Sequence, residues 1–337
     1  EYCLSCRKKL FDGKRVSTVL DFDKPKAENM TMYNEHSKRM SISGVQLKYS
    51  LKLNGNKLEL CETNGQYIIK PIPTADHLEM MEDAPENEHL TMQIASQIFN
   101  IKTAHNALIY FKDGTPAYIT KRFDVKGDGN KYIQEDFAQI TNRTKETHGE
   151  SYKYEGSYLE IGELIKIFVP ASMIAIENFF KLVLFNYVFS NGDAHVKNFS
   201  LVRNEFAEME LSPSYDLMST IIHTPGERDT ALDLYDKDHE SVYYATHGHY
   251  GRMEFIEFAK RLGIVEVRYM RIINAFLEND TEVNDFIQNS SLSNKALVTS
   301  ISSIMSIHPN RILLLPFSTT SSQLIMAAIR PTISPFL

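Results

Sequence analysis

Apolar residues fall at alternate positions from Val45 to Leu53 (Val45, Leu47, Tyr49, Leu51, Leu53), with Lys48, Ser50 and Lys52 between them. That pattern predicts a half-buried strand turning at Asn54-Gly55. Further runs of strand type lie at 58–62, 67–70, 107–111 and 117–123, the last two joined by an Asp113-Gly114 turn. Together they predict an antiparallel sheet of about five strands. One segment inside this region has helical period. Glu88, Met92, Ala95 and Phe99 share a stripe, and Asp83-Ala84-Pro85-Glu86 has the form of a capping box with proline in the first turn.

From Tyr158 onward the apolar period is mainly helical, and the run MIAIENFFKLVLFNYVF at 173–189 is apolar on all sides. A helix of that kind belongs in the middle of a domain, not at its surface. Two short strand candidates follow at 199–202 and 209–211. The expected architecture is α+β with two lobes: a β-rich lobe over 41–124 and a larger, mainly helical lobe over 125–290. A polar N-terminal segment and linker (1–40) precedes them. A tail (291–337) without Asp or Glu follows, and its structure the pattern does not specify. The polar stretch 141–156 reads as a loop.

Composition narrows the class. With 337 residues, 43% hydrophobic and 23% charged, the chain can build two lobes with buried cores. A net charge of -7 argues against direct nucleic-acid binding or attachment to an anionic membrane. The most apolar region is broken by Lys166, Pro170, Glu177 and Lys181, so no membrane span is expected. Three cysteines without a secretion signal predict a reducing, cytoplasmic setting. Cys3 and Cys6 have the spacing of half a zinc site without a second pair, which leaves reduced thiols as the expected state.

The candidate chemistry centres on Ser190-Asn191-Gly192-Asp193-Ala194-His195-Val196-Lys197-Asn198, directly after the central helix. Phosphoryl transfer requires a carboxylate to orient the attacking hydroxyl and oxygen ligands for Mg²⁺. Asp193 and Asn198 are five positions apart, the separation of the catalytic Asp and metal-binding Asn in protein kinases. Asp216, eighteen positions after Asn198, stands where a second metal ligand belongs. Glu88, aligned with core residues, calls for a cation, and Lys70 on the 67–70 strand is the candidate.

These pieces, in order, resemble the HipA-like serine/threonine kinase toxins of bacterial toxin-antitoxin modules. The matching residues are 41–46, 67–70, Asn87-Glu88, Arg122-Phe123-Asp124, Gln134-Glu135-Asp136, 192–198 and Tyr215-Asp216. The resemblance covers about 40–290 and is nearer to the short HipT type. It implies that Lys70, paired with Glu88, contacts the ATP phosphates; that Lys121, Arg122 and Phe123 line the adenine; and that Asp124 reaches the ribose. Asp193 would orient the target hydroxyl, His195 would contact the nucleotide, and Asn198 and Asp216 would bind Mg²⁺. A loop with Ser41 and Ser43, the expected autophosphorylation sites, replaces a glycine-rich phosphate loop. The implied partners are a HipB-like helix-turn-helix antitoxin, a small HipS-like protein and a protein substrate, expected to be an aminoacyl-tRNA synthetase. Two other readings stay open at this stage: a small-molecule kinase with the same Asp, Asn and Asp set, and a catalytically silent antitoxin-binding module.

Overall fold

Strands β1 (Tyr49–Asn54), β2 (Lys57–Leu60), β3 (Tyr67–Pro71), β4 (Asn106–Tyr110) and β5 (Pro116–Lys121) form one antiparallel sheet in the order β2-β1-β3-β5-β4. The computed structural model describes residues 2–25, 47–75, 77–127, 129–235 and 241–307. Ser41 and Ser43 lie outside them. One face of the sheet buries Leu51, Tyr67, Ile69, Ile109 and Ile119 against Leu10 and Phe11 of helix α1 (Leu4–Phe11) and against Val16 and Leu20. On the other face, Tyr118 joins a second core with Leu90, Met92 and Ile94 of helix α2 (Ala84–Gln97). Because side chains alternate along a strand, the register decides which residues reach the cleft. Lys70 pairs with Tyr118 and shares its face, whereas Lys121 lies opposite Tyr67, on the face covered by α1.

The expected capping box at the start of α2 does not form. Asp83 is helical in backbone and makes no cap hydrogen bond. Its carboxylate instead accepts from the backbone N–H of Ser293 at 2.7 Å and the hydroxyl of Ser293 at 2.7 Å, while Glu86 accepts from Ser291 N–H at 3.0 Å. Both acids are spent on holding the entrance to a distant helix, a competition the local sequence does not reveal.

The larger lobe packs around α4 (Ser172–Val188), which follows α3 (Tyr158–Phe168). Phe179, Phe180 and Phe185 of α4 are fully buried. They contact Phe258 of α5 (Arg252–Arg261) and Phe276 of α6 (Glu266–Glu278). Each such ring removed from water contributes about 2–3 kcal/mol. Phe99, just beyond α2, stacks on Phe276 with centroids 4.2 Å apart, tying the smaller lobe's helix to this core. A three-stranded antiparallel sheet of β6 (Gln134–Asp136), β7 (Ser200–Arg203) and β8 (Met209–Leu211) edges the cleft. Helices α7 (Asp280–Gln288) and α8 (Asn294–Ile307) complete the lobe, with Leu292 and Ala296 in the main core. Among the described residues, no helix is long and apolar enough to cross a membrane. This is the two-lobed α+β arrangement that the periodicities predict.

Candidate active site

Helix α4 delivers the loop at 190–198 to the cleft through its C-cap. Ser190 adopts a left-handed backbone (φ 49°), its N–H bonds to Tyr187 O at 3.1 Å, and Asn191 N–H reaches Asn186 O at 2.8 Å. These are the two bonds of a Schellman motif, which stops the helix and turns the chain sharply. Next comes Gly192, where a Cβ would lie 2.4 Å from Arg228 O, so only glycine fits. Its N–H donates to Thr220 Oγ1 at 2.8 Å.

Thr220 also bonds to Ser190 O at 3.1 Å and touches the Glu227 carboxyl. Its one hydroxyl proton serves Ser190 O or the Glu227 carboxyl in turn, and Ser190 O also accepts from Ile221 N–H at 3.4 Å. Burial pushes the Glu227 carboxyl up to about 8, against the pull of the hydrogen bonds it receives from Thr220 and from Gly192 N–H. The folded carboxyl then holds its proton well above the ordinary value of 4.5 at which the unfolded one releases it. Stability from this group is complete below pH 4.5 and lost as pH rises through 8. Glu227→Gln, which carries no charge at any pH, is expected to gain stability on the wild type between pH 5 and pH 8 in urea titrations. A constant difference at the two pH values would contradict the assignment.

The loop presents Asp193, whose Oδ1 accepts from Tyr154 OH at 2.8 Å and lies 4.0 Å from His195 Nε2. His195 is buried and burial lowers it to about 4, so its imidazole is neutral; its Nδ1 makes no hydrogen bond among the described residues. Asn198 closes the loop: His195 N–H donates to its Oδ1 at 3.1 Å, and its own N–H returns to His195 O at 2.9 Å. The amide of Asn198 stands 3.5 Å from Asp216 Oδ2.

Asp216 is the junction between lobes. It takes a left-handed backbone (φ 55°), a conformation that costs a non-glycine residue on the order of 1–2 kcal/mol and recurs at functional sites. Lys70 Nζ contacts its Oδ1 and lies 2.6 Å from Glu88 Oε1, with Lys48 Nζ 3.7 Å from its Oδ2. Burial alone would raise the Asp216 carboxyl; the Lys48 and Lys70 ammonium groups outweigh it and hold the acid well below the usual range. Glu88, buried more deeply and sharing Lys70, is pushed up to about 7. Asn87 sets the distance between the two carboxylates. Its amide donates to Ser219 O at 2.9 Å, and its oxygen accepts from Ser219 N–H at 3.1 Å, so α2 is pinned to the strand exit beyond Asp216.

The structure thus brings together Lys70, Glu88, Asp193, His195, Asn198 and Asp216, and separates some of the other sequence-selected residues from them. Phe123 packs on Tyr215, with ring centroids 5.8 Å apart, beside Asp216. Arg122 and Asp124 are engaged with each other in a two-point ion pair at 2.9 and 2.5 Å. Lys121 points its ammonium away from the cleft, to Asp12 at 2.6 Å. Cys3 and Cys6 sit with sulfurs 3.2 Å apart at the start of α1, and no cluster of three metal-ligating His, Cys, Asp or Glu occurs among the described residues. Tyr154 contributes to the site without a periodic signal that marks it, and Lys48 and Asn87, singled out by strand alternation and by resemblance, contribute ion-pair and pinning contacts that those signals do not specify.

The sequence profile of the HipA-like C-terminal domain matches residues 40–283. The protein Y4dM of Sinorhizobium fredii is 32% identical over 212 residues, which cover 58% of this chain and 49% of the relative. A Shewanella oneidensis protein named serine/threonine-protein kinase toxin HipA is 24% identical over 222 residues, 61% of this chain and 49% of its own length. The chain therefore spans about half the length of these two relatives. Among solved structures, a chain of the Shewanella oneidensis toxin-antitoxin complex of HipA, HipB and operator DNA is similar with a TM-score of 0.60 at 18% identity, over 82% of this chain and 67% of that one. That likeness extends to the two-lobed, kinase-like architecture. With a profile match across most of its length and this fold, the chain belongs to the family of HipA-like C-terminal domains.

Proposed function

We propose that this chain is an ATP- and Mg²⁺-dependent protein serine/threonine kinase, the toxin of a bacterial module of HipBA or HipBST type. The observation that carries the reading is Lys70 Nζ held between Glu88 and Asp216, with Asn198 beside Asp216 and Asp193 on the same loop. An amide oxygen and a carboxylate are hard ligands of the kind Mg²⁺ prefers. Lys48 and Lys70 place positive charge beside Asp216, and Lys153 acts on Asp193, a distribution that suits a polyphosphate. Asn198 and Asp216 hold the metal, Lys70 binds the phosphates, and Phe123 with the neighbouring main chain lines the base. When bound, the metal neutralises charge on the β- and γ-phosphates. Asp193 receives the proton of the acceptor hydroxyl.

Autophosphorylation on Ser41 or Ser43 is part of this reading. Lys48, five positions after Ser43 in the chain, lies 3.7 Å from Asp216. The substrate is a component of translation, an aminoacyl-tRNA synthetase, and the partners are a HipB-like antitoxin and a small HipS-like protein. With a net charge of -7, contact with operator DNA runs through the antitoxin.

The test is to incubate the chain with γ-labelled ATP and Mg²⁺ in a bacterial extract and identify labelled peptides by mass spectrometry. Label on a translation protein and on Ser41 or Ser43 is expected. Label confined to small molecules, or absent, overturns the protein-kinase assignment.

A further inference from the structure

The segment at 141–156 is not the featureless loop its composition predicts. Thr144 and Thr147 cap a short helical turn reciprocally at 3.0 and 3.3 Å, and Arg143 clamps Glu160 with two bonds of 2.6 and 2.9 Å, which fixes the segment to the start of α3. Between these anchors the turn Tyr152–Tyr154 packs its rings against the main core and faces the loop at 190–198. Three contacts join the two. Tyr154 OH donates to Asp193 Oδ1 at 2.8 Å, the Tyr154 ring meets the His195 ring edge-on at 5.4 Å, and Lys197 Nζ lies 5.8 Å from the Tyr152 ring.

We propose that this turn belongs to the catalytic machinery: Tyr154 is a positioning residue that holds Asp193 through Oδ1, and Lys153 is a catalytic cation for the phosphoryl group in transit. The inference rests on the kinase reading above and extends it to two residues outside the Asp, Asn and Asp set.

A carboxylate that orients a hydroxyl must offer one oxygen in one direction. Tyr154 occupies Oδ1 with its hydrogen bond, and Oδ2 makes no hydrogen bond among the described residues. In the transfer, the acceptor oxygen bonds to the γ-phosphorus while the bond from that phosphorus to the β-phosphate oxygen breaks. The acceptor proton passes to Asp193 Oδ2, and ADP leaves. Charge spreads over the γ-phosphoryl oxygens during this step and needs a nearby cation. The turn that holds Asp193 carries one, Lys153. Its Nζ sits 4.8 Å from the Tyr154 ring centre, and its charge is felt by both Asp193 and His195. Burial pulls its ammonium down and Asp193 counteracts that pull, as for a lysine held inside a site.

The experiment compares the full wild-type chain with Tyr154→Phe, Lys153→Met, Lys153→Arg and Asp193→Asn. The readouts are melting temperature, affinity for Mg·ATP and the rate of labelled phosphate incorporation at saturating ATP in a bacterial extract. Tyr154→Phe is expected to slow transfer about 10- to 100-fold with Mg·ATP affinity retained, since a small misplacement of a reacting group is enough for such a loss. Lys153→Met is expected to lose about 100-fold, in the range for removing one transition-state donor, and Lys153→Arg to recover most of it. Wild-type rates in Tyr154→Phe and Lys153→Met overturn the inference and leave the kinase reading standing. So does a loss of rate matched by an equal loss of Mg·ATP affinity or of folding, which marks a structural role. A wild-type chain that transfers no phosphate overturns both.

Discussion

Asp193→Asn is expected to reduce phosphate transfer by about 10²–10⁴-fold, the usual contribution of a positioned general base. The replacement keeps the shape of the side chain and an oxygen to accept the 2.8 Å bond from Tyr154, so the loop should hold its course and the melting temperature should stay near that of the wild type. Mg·ATP should still bind, because Lys70, Asn198 and Asp216 are untouched. Labelled transfer and calorimetric ATP binding, measured on the same preparation, separate these effects. Transfer at the wild-type rate would remove Asp193 from the chemistry and, with it, the reason for reading this cleft as a kinase site.

Lys70→Met is expected to damage both activity and stability. It leaves Glu88 and Asp216 facing each other without the ammonium they share, and breaking a buried pair in this way costs about 3–5 kcal/mol. The deficit has a definite pH dependence. Glu88 already stands at about 7 with Lys70 present, against an ordinary 4.5, and loses its counter-charge in the variant. A carboxyl raised in the folded state stabilises fully below its unfolded pKa and loses that contribution as pH rises. The variant should therefore be less handicapped at pH 5 than at pH 8 in urea titrations. Adding Glu88→Leu should recover stability without recovering transfer, since an apolar pair of similar size avoids the desolvation cost. Equal deficits at both pH values would mean that the lysine contributes packing and little charge.

Much of this was legible in the chain. Alternation at 45–53, together with the four other strand-type runs, was enough to anticipate the five-stranded sheet, because a pleated strand with one buried face imposes period two on its own residues. The all-round apolarity of 173–189 identified the central helix for a similar reason. The stripe Glu88, Met92, Ala95 and Phe99, all buried, singled out Glu88 as an acid needing a cation. The five-residue interval from Asp193 to Asn198 was readable as well, since one loop sets that geometry by itself.

Other features arose only on folding. Asp83 and Glu86 look like local caps in sequence, and the folded chain gives their oxygens to Ser291 and Ser293, about two hundred positions away. Lys121 stands two positions from Phe123 in sequence, yet its ammonium points away from the cleft, because the pairing with Tyr67 puts it on the face of α1. Tyr154 carries no periodic mark at all, yet the anchors around it set its hydroxyl on Asp193. The sequence by itself determined the elements and the spacing of groups within one loop, because both depend on backbone geometry over a few residues. Tertiary structure decided which distant polar groups meet, because a buried donor or acceptor takes the partner that packing brings to it, whatever the separation along the chain.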